Sequence, residues 1–312
     1  MSRVVVTGGA GFIGSHVRDR LLERGDEVLV VDNFASGRFE WVDSTAEGHD
    51  IRTRDTFGLI RDFRPAAIVH LAAQMSVKVS MRDPVLDADV NVLGLLNVLE
   101  AARTMSDTRL AFASSGGTIY GDVPMDRQPI REDEVRRPLS FYGLTKSTAV
   151  DYLRLYAAER DVPTVALALG NVYGPRQNPD GEAGVISIFA NRLLSDESCI
   201  VNGDGKTTRD YVHVSDVADA FVAGAERGSG LINIGTGVAT SVNQIYAMTA
   251  AAIGSERAPE HGPVLPGEVR GVALDPSRAK EQLGWSPQVR IEDGIQTVVS
   301  WLASRRRSEV SR

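Results

Sequence analysis

Three glycines, Gly8, Gly11 and Gly14, stand in VVVTGGAGFIGS between a β-branched run and a stretch with helical spacing. A chain that leaves a buried strand this way and enters a helix has few folds open to it. The first glycine permits a tight turn, and the second lets backbone approach a pyrophosphate. The third lets the helix pack closely on the sheet. Further runs repeat the strand signal: EVLVVD (27–32), AAIVH (66–70), RLAFASS (109–115) and VPTVALAL (162–169), after RVVVT (3–7). Residues 12–24, 56–63, 84–105 and 141–160 carry helical spacing between them. This alternation predicts an α/β fold built on a doubly wound parallel sheet with helices on both faces.

The helix after the glycines turns its unpaired N–H groups toward an anion. Asp32 ends the second strand, placed to accept the ribose hydroxyls of an adenosine and to repel a 2′-phosphate. The expected cofactor is therefore NAD, not NADP. Beyond NVYGP (171–175) the texture changes to loops rich in Gly, Pro and Asn, with helices expected near 184–194, 215–227, 241–253 and 291–304. The predicted division is a dinucleotide domain over 1–172 and a smaller mixed α/β substrate-binding lobe over 173–312, with the chain crossing back between them. The length of 312 residues suits that division, and a net charge of −7 argues against a nucleic-acid surface. No apolar run approaches the ~18 residues of a membrane helix, and no signal-peptide pattern is present. The single cysteine, Cys199, reads as a small buried hydrophobe in a cytoplasmic protein. Five scattered histidines offer no metal-ligand spacing, so no metal is expected. His213 reads as a turn residue, and Trp285 as packing for the C-terminal lobe.

FYGLTK places Tyr142 and Lys146 at i and i+4, on one face of a helix. An ammonium beside a phenol favours the phenolate, and so would an oxidised nicotinamide. A tyrosine with a lowered pKa can take a proton from a sugar hydroxyl while hydride leaves the same carbon.

With these residues in view the chain resembles the extended short-chain dehydrogenase/reductase family, and within it the nucleotide-sugar 4-epimerases that act on UDP-glucose and UDP-galactose. The resemblance runs nearly end to end through TGGAGFIGS, VDNFASG, HLAAQMSV, NVLG, SSGGTIYG, YGLTK, GNVYGPRQ, GDGKTTRDYVHVSDVADA and LDPSRAKEQLGW. It implies a Rossmann domain and NAD held by Gly8, Gly11, Phe12, Ile13, Gly14, Ser36 and Gly37. It implies ribose contacts from Asp32 and Asn33, and adenine contacts from Asp55 with Thr56. Leu71, Ala72, Ala73, Gln74, Ser114, Tyr142 and Lys146 would line the cofactor, with Asn91 supporting the site. The UDP-sugar would meet Val77, Thr118, Tyr142, Asn171, Val185, Asn202, Arg209, Glu268 and Arg270, with Arg209 clamping the diphosphate. A homodimer is implied as well.

The family usually carries a Ser or Thr four residues before the tyrosine of YG, where this chain has Gly116. Ser115 and Thr118 flank the gap. Thr118 is the preferred replacement, Ser115 the second and a bound water the third, all to assist Tyr142 and Lys146. Dehydrating and decarboxylating relatives place carboxylates in this stretch, whereas residues 116–119 hold none, so C4 epimerisation is the expected reaction. Leu265 stands where many relatives have a diphosphate-gripping arginine, leaving Arg270 to compensate. Met75 replaces a lysine that some relatives carry. Val272, aligned with a tyrosine that narrows the hexose pocket of some relatives, would leave room for a 2-acetamido group, extending the range to UDP-GlcNAc and UDP-GalNAc. Asn171 and Asn178 leave a uronate carboxylate without a partner apart from Arg176, which keeps UDP-glucuronate 4-epimerase as an alternative. A 4-reductase is another. The rival from a different class is an NAD-sensing regulator without chemistry, and the retained Tyr142 and Lys146 speak against it.

Overall fold

The computed structural model describes residues 1–42, 46–180, 184–264 and 269–310, so Leu265 and Glu268 lie outside the described residues. The chain begins with β1 (Arg3–Thr7), α1 (Phe12–Glu23), β2 (Glu27–Asp32), β3 (Ala46–Gly48) and α2 (Arg54–Phe63). After β4 (Ala67–His70) come α3 (Val77–Arg82), α4 (Pro84–Ala88), a π-helical turn over Asp89–Leu93, and α5 (Gly94–Arg103). β5 (Arg109–Ser115) runs into the single turn α6 (Gly116–Ile119), then α7 (Phe141–Glu159), β6 (Thr164–Leu169) and β7 (Asn171–Tyr173). The rest comprises α8 (Val185–Leu194), β8 (Ile200–Asn202), β9 (Thr208–His213), α9 (Val214–Gly224) and β10 (Gly230–Ile234). It ends with β11 (Ala239–Ser241), α10 (Val242–Ile253), β12 (Glu260–Gly262), α11 (Ser277–Leu283) and α12 (Ile291–Val310).

Seven strands among the described residues form one parallel sheet in the order β10–β6–β5–β4–β1–β2–β3. Strand direction sorts the side chains by face. Val4 and Val6 of β1 pack with Val17 and Leu21 of α1 and Phe221 of α9, while Val5 packs on the other side with Leu95, Leu99 and Leu153. Both faces are thus apolar, as a parallel sheet under two helical layers requires. The sheet order reverses between β1 and β4, which opens a crevice at their carboxyl ends, where open α/β sheets bind ligands.

A third core gathers Phe189, Ile245, Val298 and Leu302 from α8, α10 and α12. Beside it lie a mixed sheet of β11–β9–β7 and a pair β12–β8. β10 joins the large sheet although it follows these elements in the chain. Trp285 differs from the expectation. It packs with the large-sheet core beneath α9, donating its indole N–H to the Asp216 carbonyl at 2.7 Å. The helix expected over 84–105 is broken into α4, the π-turn and α5, and the wide turn carries Asn91 inward. Such turns recur at functional sites. No described helix is long and apolar enough to cross a membrane.

Candidate active site

The glycine loop is built by close approach. Gly8 has φ +71° and donates its N–H to the Val31 carbonyl at 2.8 Å. A Cβ there would lie 2.6 Å from the Ala72 nitrogen, and one on Gly14 would collide with the Gly8 carbonyl. The loop can therefore hold no side chain at either point. Gly11 is the N-cap of α1 and supplies no side-chain hydrogen bond, so the first-turn N–H groups stay open to an anion. Asp32 is buried; its two carboxylate oxygens accept from the N–H of Ala10 at 3.0 Å and of Phe34 at 2.8 Å. Burial raises its pKa and these hydrogen bonds oppose the rise. Gly37 packs against Asp32 and Ala10, while Ser36 is exposed beside it. A bare cradle, an uncapped helix and an acid at the tip of β2 fit the expected dinucleotide.

The acid next to this strand tip is not the expected one. Asp55 is exposed on the first turn of α2, and Thr56 is buried, its hydroxyl donating to the Asp50 carbonyl at 2.5 Å. Asp50 instead faces Asn33, accepting from its amide at 3.3 Å, and two hydrogen bonds from the Arg52 guanidinium hold its carboxyl down near pKa 2.

At the end of β4, His70 pairs with Thr7 (Nδ1 to Oγ1, 2.7 Å), and its burial lowers its pKa to about 3, so the ring is neutral. Leu71–Ala73 follow beside Gly8. Gln74 is locked to Asn91 through two bonds: its N–H donates to Oδ1 at 2.9 Å, and its carbonyl accepts from Nδ2 at 3.0 Å. The Asn91 amide also donates to Asp87 Oδ1 at 3.1 Å, a buried carboxylate that sequence reading missed.

α7 begins at Ser140, whose hydroxyl caps the Gly143 N–H at 3.1 Å, and presents Tyr142 and Lys146 from one face. The Lys146 ammonium donates to the Ala113 carbonyl at 2.9 Å and lies over the Phe112 ring, 5.8 Å from the Tyr142 ring centroid. Ser114 is buried and donates to the Lys146 carbonyl at 3.4 Å. The protein groups alone do not lower the tyrosine pKa as expected. Burial, with Asp87 adding to it, pushes Tyr142 up to about 12, against a hydrogen bond from Ser115 that lowers it. Burial likewise lowers Lys146 to about 8, and Asp87 opposes that. Desolvation outweighs the ammonium here.

The two hydroxyls that flank Gly116 differ in their surroundings. Ser115 is the hydroxyl that lowers the Tyr142 pKa, while the Thr118 hydroxyl is buried without a partner among the described residues. Gly116 points its missing side chain at Leu274 in the core, whereas a Cβ on Gly117 would meet only Asn171 Oδ1, at 3.7 Å.

Ser115, Thr118, Val77, Asn171, Val185 and Arg209 line one cavity of about 570 Å³. Met81, Leu139 and Tyr211 join them unforeseen. Among the described lining residues Arg209 is the only charged one. Asn202 and Arg270 are exposed and outside this lining, Arg270 donating its N–H to Asp122 at 3.4 Å. Val272 is buried with Leu274 in the large core and is not among the residues that line the cavity. Arg176 is paired with Asp19 at 2.7 Å, away from the lining. His213 caps α9, accepting from the Ser215 N–H at 3.3 Å.

The sequence profile of the family described as GDP-mannose 4,6 dehydratase matches residues 5–298. A UDP-glucose 4-epimerase of Mycolicibacterium smegmatis is 43% identical, the alignment covering 97% of this chain and 99% of that protein. The crystal structure of the Thermotoga maritima UDP-glucose 4-epimerase with UDP-glucose superposes with a TM-score of 0.94 at 40% identity, over 97% and 99% of the two chains. The Thermus thermophilus UDP-glucose 4-epimerase in complex with NAD gives 0.89 at 42%, over 96% and 99%.

Proposed function

We propose, for a chain that belongs to the NAD-dependent nucleotide-sugar epimerases of the extended short-chain dehydrogenase/reductase family, that it inverts carbon 4 of a UDP-hexose, with UDP-glucose and UDP-galactose as the pair. One observation carries the reading: Ser115, the hydroxyl that lowers the pKa of the neighbouring Tyr142, lines a cavity whose described lining holds a single arginine and no carboxylate. Dehydration at C5–C6 would need an acid and a base beside the tyrosine; C4 oxidation and its reversal need neither.

NAD would be held by the glycine cradle, by the α1 N-terminus and by Asp32, with Asn33 and Asp50 at the adenosine end. The chemistry it supplies when bound is a reversible two-electron exchange with carbon 4. Tyr142 takes the proton of the 4-hydroxyl and returns it, Ser115 steadies that oxygen, and Lys146 supports the phenolate electrostatically. Burial alone leaves Tyr142 too basic, and a positive charge on a bound oxidised cofactor would favour its phenolate. Arg209 would grip the diphosphate while the 4-keto sugar turns over, and Asn171 and Thr118 would meet sugar hydroxyls. With no second cation in the described lining, an uncharged hexose fits better than a uronate. We place the activity in the cytoplasm, in keeping with an unpaired, buried Cys199. We also read the enzyme as a homodimer.

The test is incubation of the purified protein, without added cofactor, with UDP-galactose, UDP-GalNAc and UDP-glucuronate in separate arms. The expected product is UDP-glucose from the first, and Tyr142→Phe should lower that rate by about 10²–10⁴-fold. Turnover of UDP-glucuronate alone would favour the uronate reading, and no turnover in any arm would favour the sensor.

A further inference from the structure

Asp87 is a charged group of this site that the proposed reaction does not yet use. It lies on α4 with no solvent exposure, where a lone carboxylate is costly. Its oxygens are satisfied by three neutral donors on three segments. Gln74 Nε2 donates to Oδ1 at 2.6 Å from the loop after β4, and Asn91 Nδ2 donates to Oδ1 at 3.1 Å from the π-turn. Thr145 Oγ1 donates to Oδ2 at 2.8 Å from α7, one residue before Lys146. Asn91 in turn holds both backbone groups of Gln74. One carboxylate therefore joins the cofactor-side loop to the helix that carries the acid–base pair.

Its charge acts on the same pair. The charge of Asp87 acts on both Tyr142 and Lys146; Lys146 also meets the Ala113 carbonyl, the Tyr142 ring and Phe112, with the neutral His70 stacked behind that ring. A negative charge here favours the ammonium that burial would otherwise discharge, and it disfavours the phenolate. We propose that Asp87 is a positioning residue for proton transfer at carbon 4. Its hydrogen bonds hold the cofactor loop in register with α7, and its charge keeps Lys146 an ammonium at working pH. The proposal rests on Tyr142 being the base.

The experiment compares Asp87→Asn, Asp87→Ser as a second neutral variant should the amide disturb folding, and Asp87→Glu, which keeps the charge. Two quantities are read in the NAD-containing protein: the pH profile of kcat with UDP-galactose, and the phenolate absorbance of Tyr142, isolated as the difference from protein with Tyr142→Phe in the same background. Both neutral variants should lower kcat and move the profile and the phenolate titration toward acid by about one pH unit, the size expected for one nearby charge in a protein-like dielectric. Asp87→Glu should keep the midpoints while losing rate. A phenolate titration that stays in place in the folded neutral variants, whatever happens to the rate, overturns the proposal. That result leaves the epimerase reading standing, which fails separately if Tyr142→Phe alone turns over UDP-galactose at the full rate.

Discussion

Ser115 and Thr118 share one cavity wall, yet of the two only Ser115 lowers the pKa of Tyr142. The difference comes from where the strand ends: Ser115 is the last residue of β5, and Thr118 already belongs to the turn that follows. The two hydroxyls should then fail in different ways. Ser115→Ala removes a partner of the reacting phenol, so kcat should fall about 10–10²-fold with KM little changed. Thr118→Val removes a cavity hydroxyl with no partner among the described residues, so KM should rise several-fold with kcat largely kept. Steady-state kinetics of both variants decide it; the reverse pattern would return the assisting role to Thr118. The choice was not legible beforehand, because two hydroxyls beside a glycine pair look alike until the backbone direction is known. Asp50 was missed for a related reason. Both it and Asp55 are acids near α2, and only the position of Asn33 separates them.

The join of β5 and α6 shows why the glycine pair is asymmetric. Gly116 faces Leu274, whose side chain fills the space a Cβ would need, while Gly117 faces the cavity. Restoring the family's hydroxyl as Gly116→Ser should therefore add no activity and should destabilise the fold by about 1–3 kcal/mol through overpacking. Leu274→Ala alone should cost about 2–5 kcal/mol, and the double variant less than the sum, because each change relieves the other. Denaturant titrations of the three proteins check this; strict additivity would mean the two sites do not touch. At this scale much was readable. β1, β2, β4, β5 and β6 are largely apolar runs long enough to declare themselves, and the glycine loop marked which end of the sheet carries the site. β3, β7, β8, β11 and β12 are three-residue strands, too short for any period to show, and they exist because tertiary neighbours supply their pairing. The break at Asp89–Leu93 was equally silent, since an extra residue in a helical turn leaves the apolar spacing almost intact.

Across the whole molecule, the helices that carry the site also carry unused apolar surface. The Tyr156 hydroxyl of α7 donates to Glu100 of α5 at 2.7 Å, so the two helices lie side by side. Val85 on α4, Leu93 in the π-turn and Leu144 on α7 are 77%, 56% and 49% exposed. The π-turn, α5 and α7 put Val90, Leu95, Leu99 and Leu153 on the large core, and among the described residues the outward side chains stay exposed. A second copy related by a two-fold axis would present the same helices, and packing pair on pair would bury both sets in a four-helix arrangement. Such pairing would brace α7, and with it Tyr142 and Lys146, against rotation. Each chain carries a net charge of −7, so acids placed on this face would meet their own images across the axis. Leu93→Glu combined with Leu144→Glu should halve the mass measured by light scattering at micromolar concentration. The melting temperature should fall as α7 loses its backing. A double variant that keeps the mass of the parent would place the subunit contact elsewhere, and a parent already at the mass of one chain would remove the dimer from the proposal.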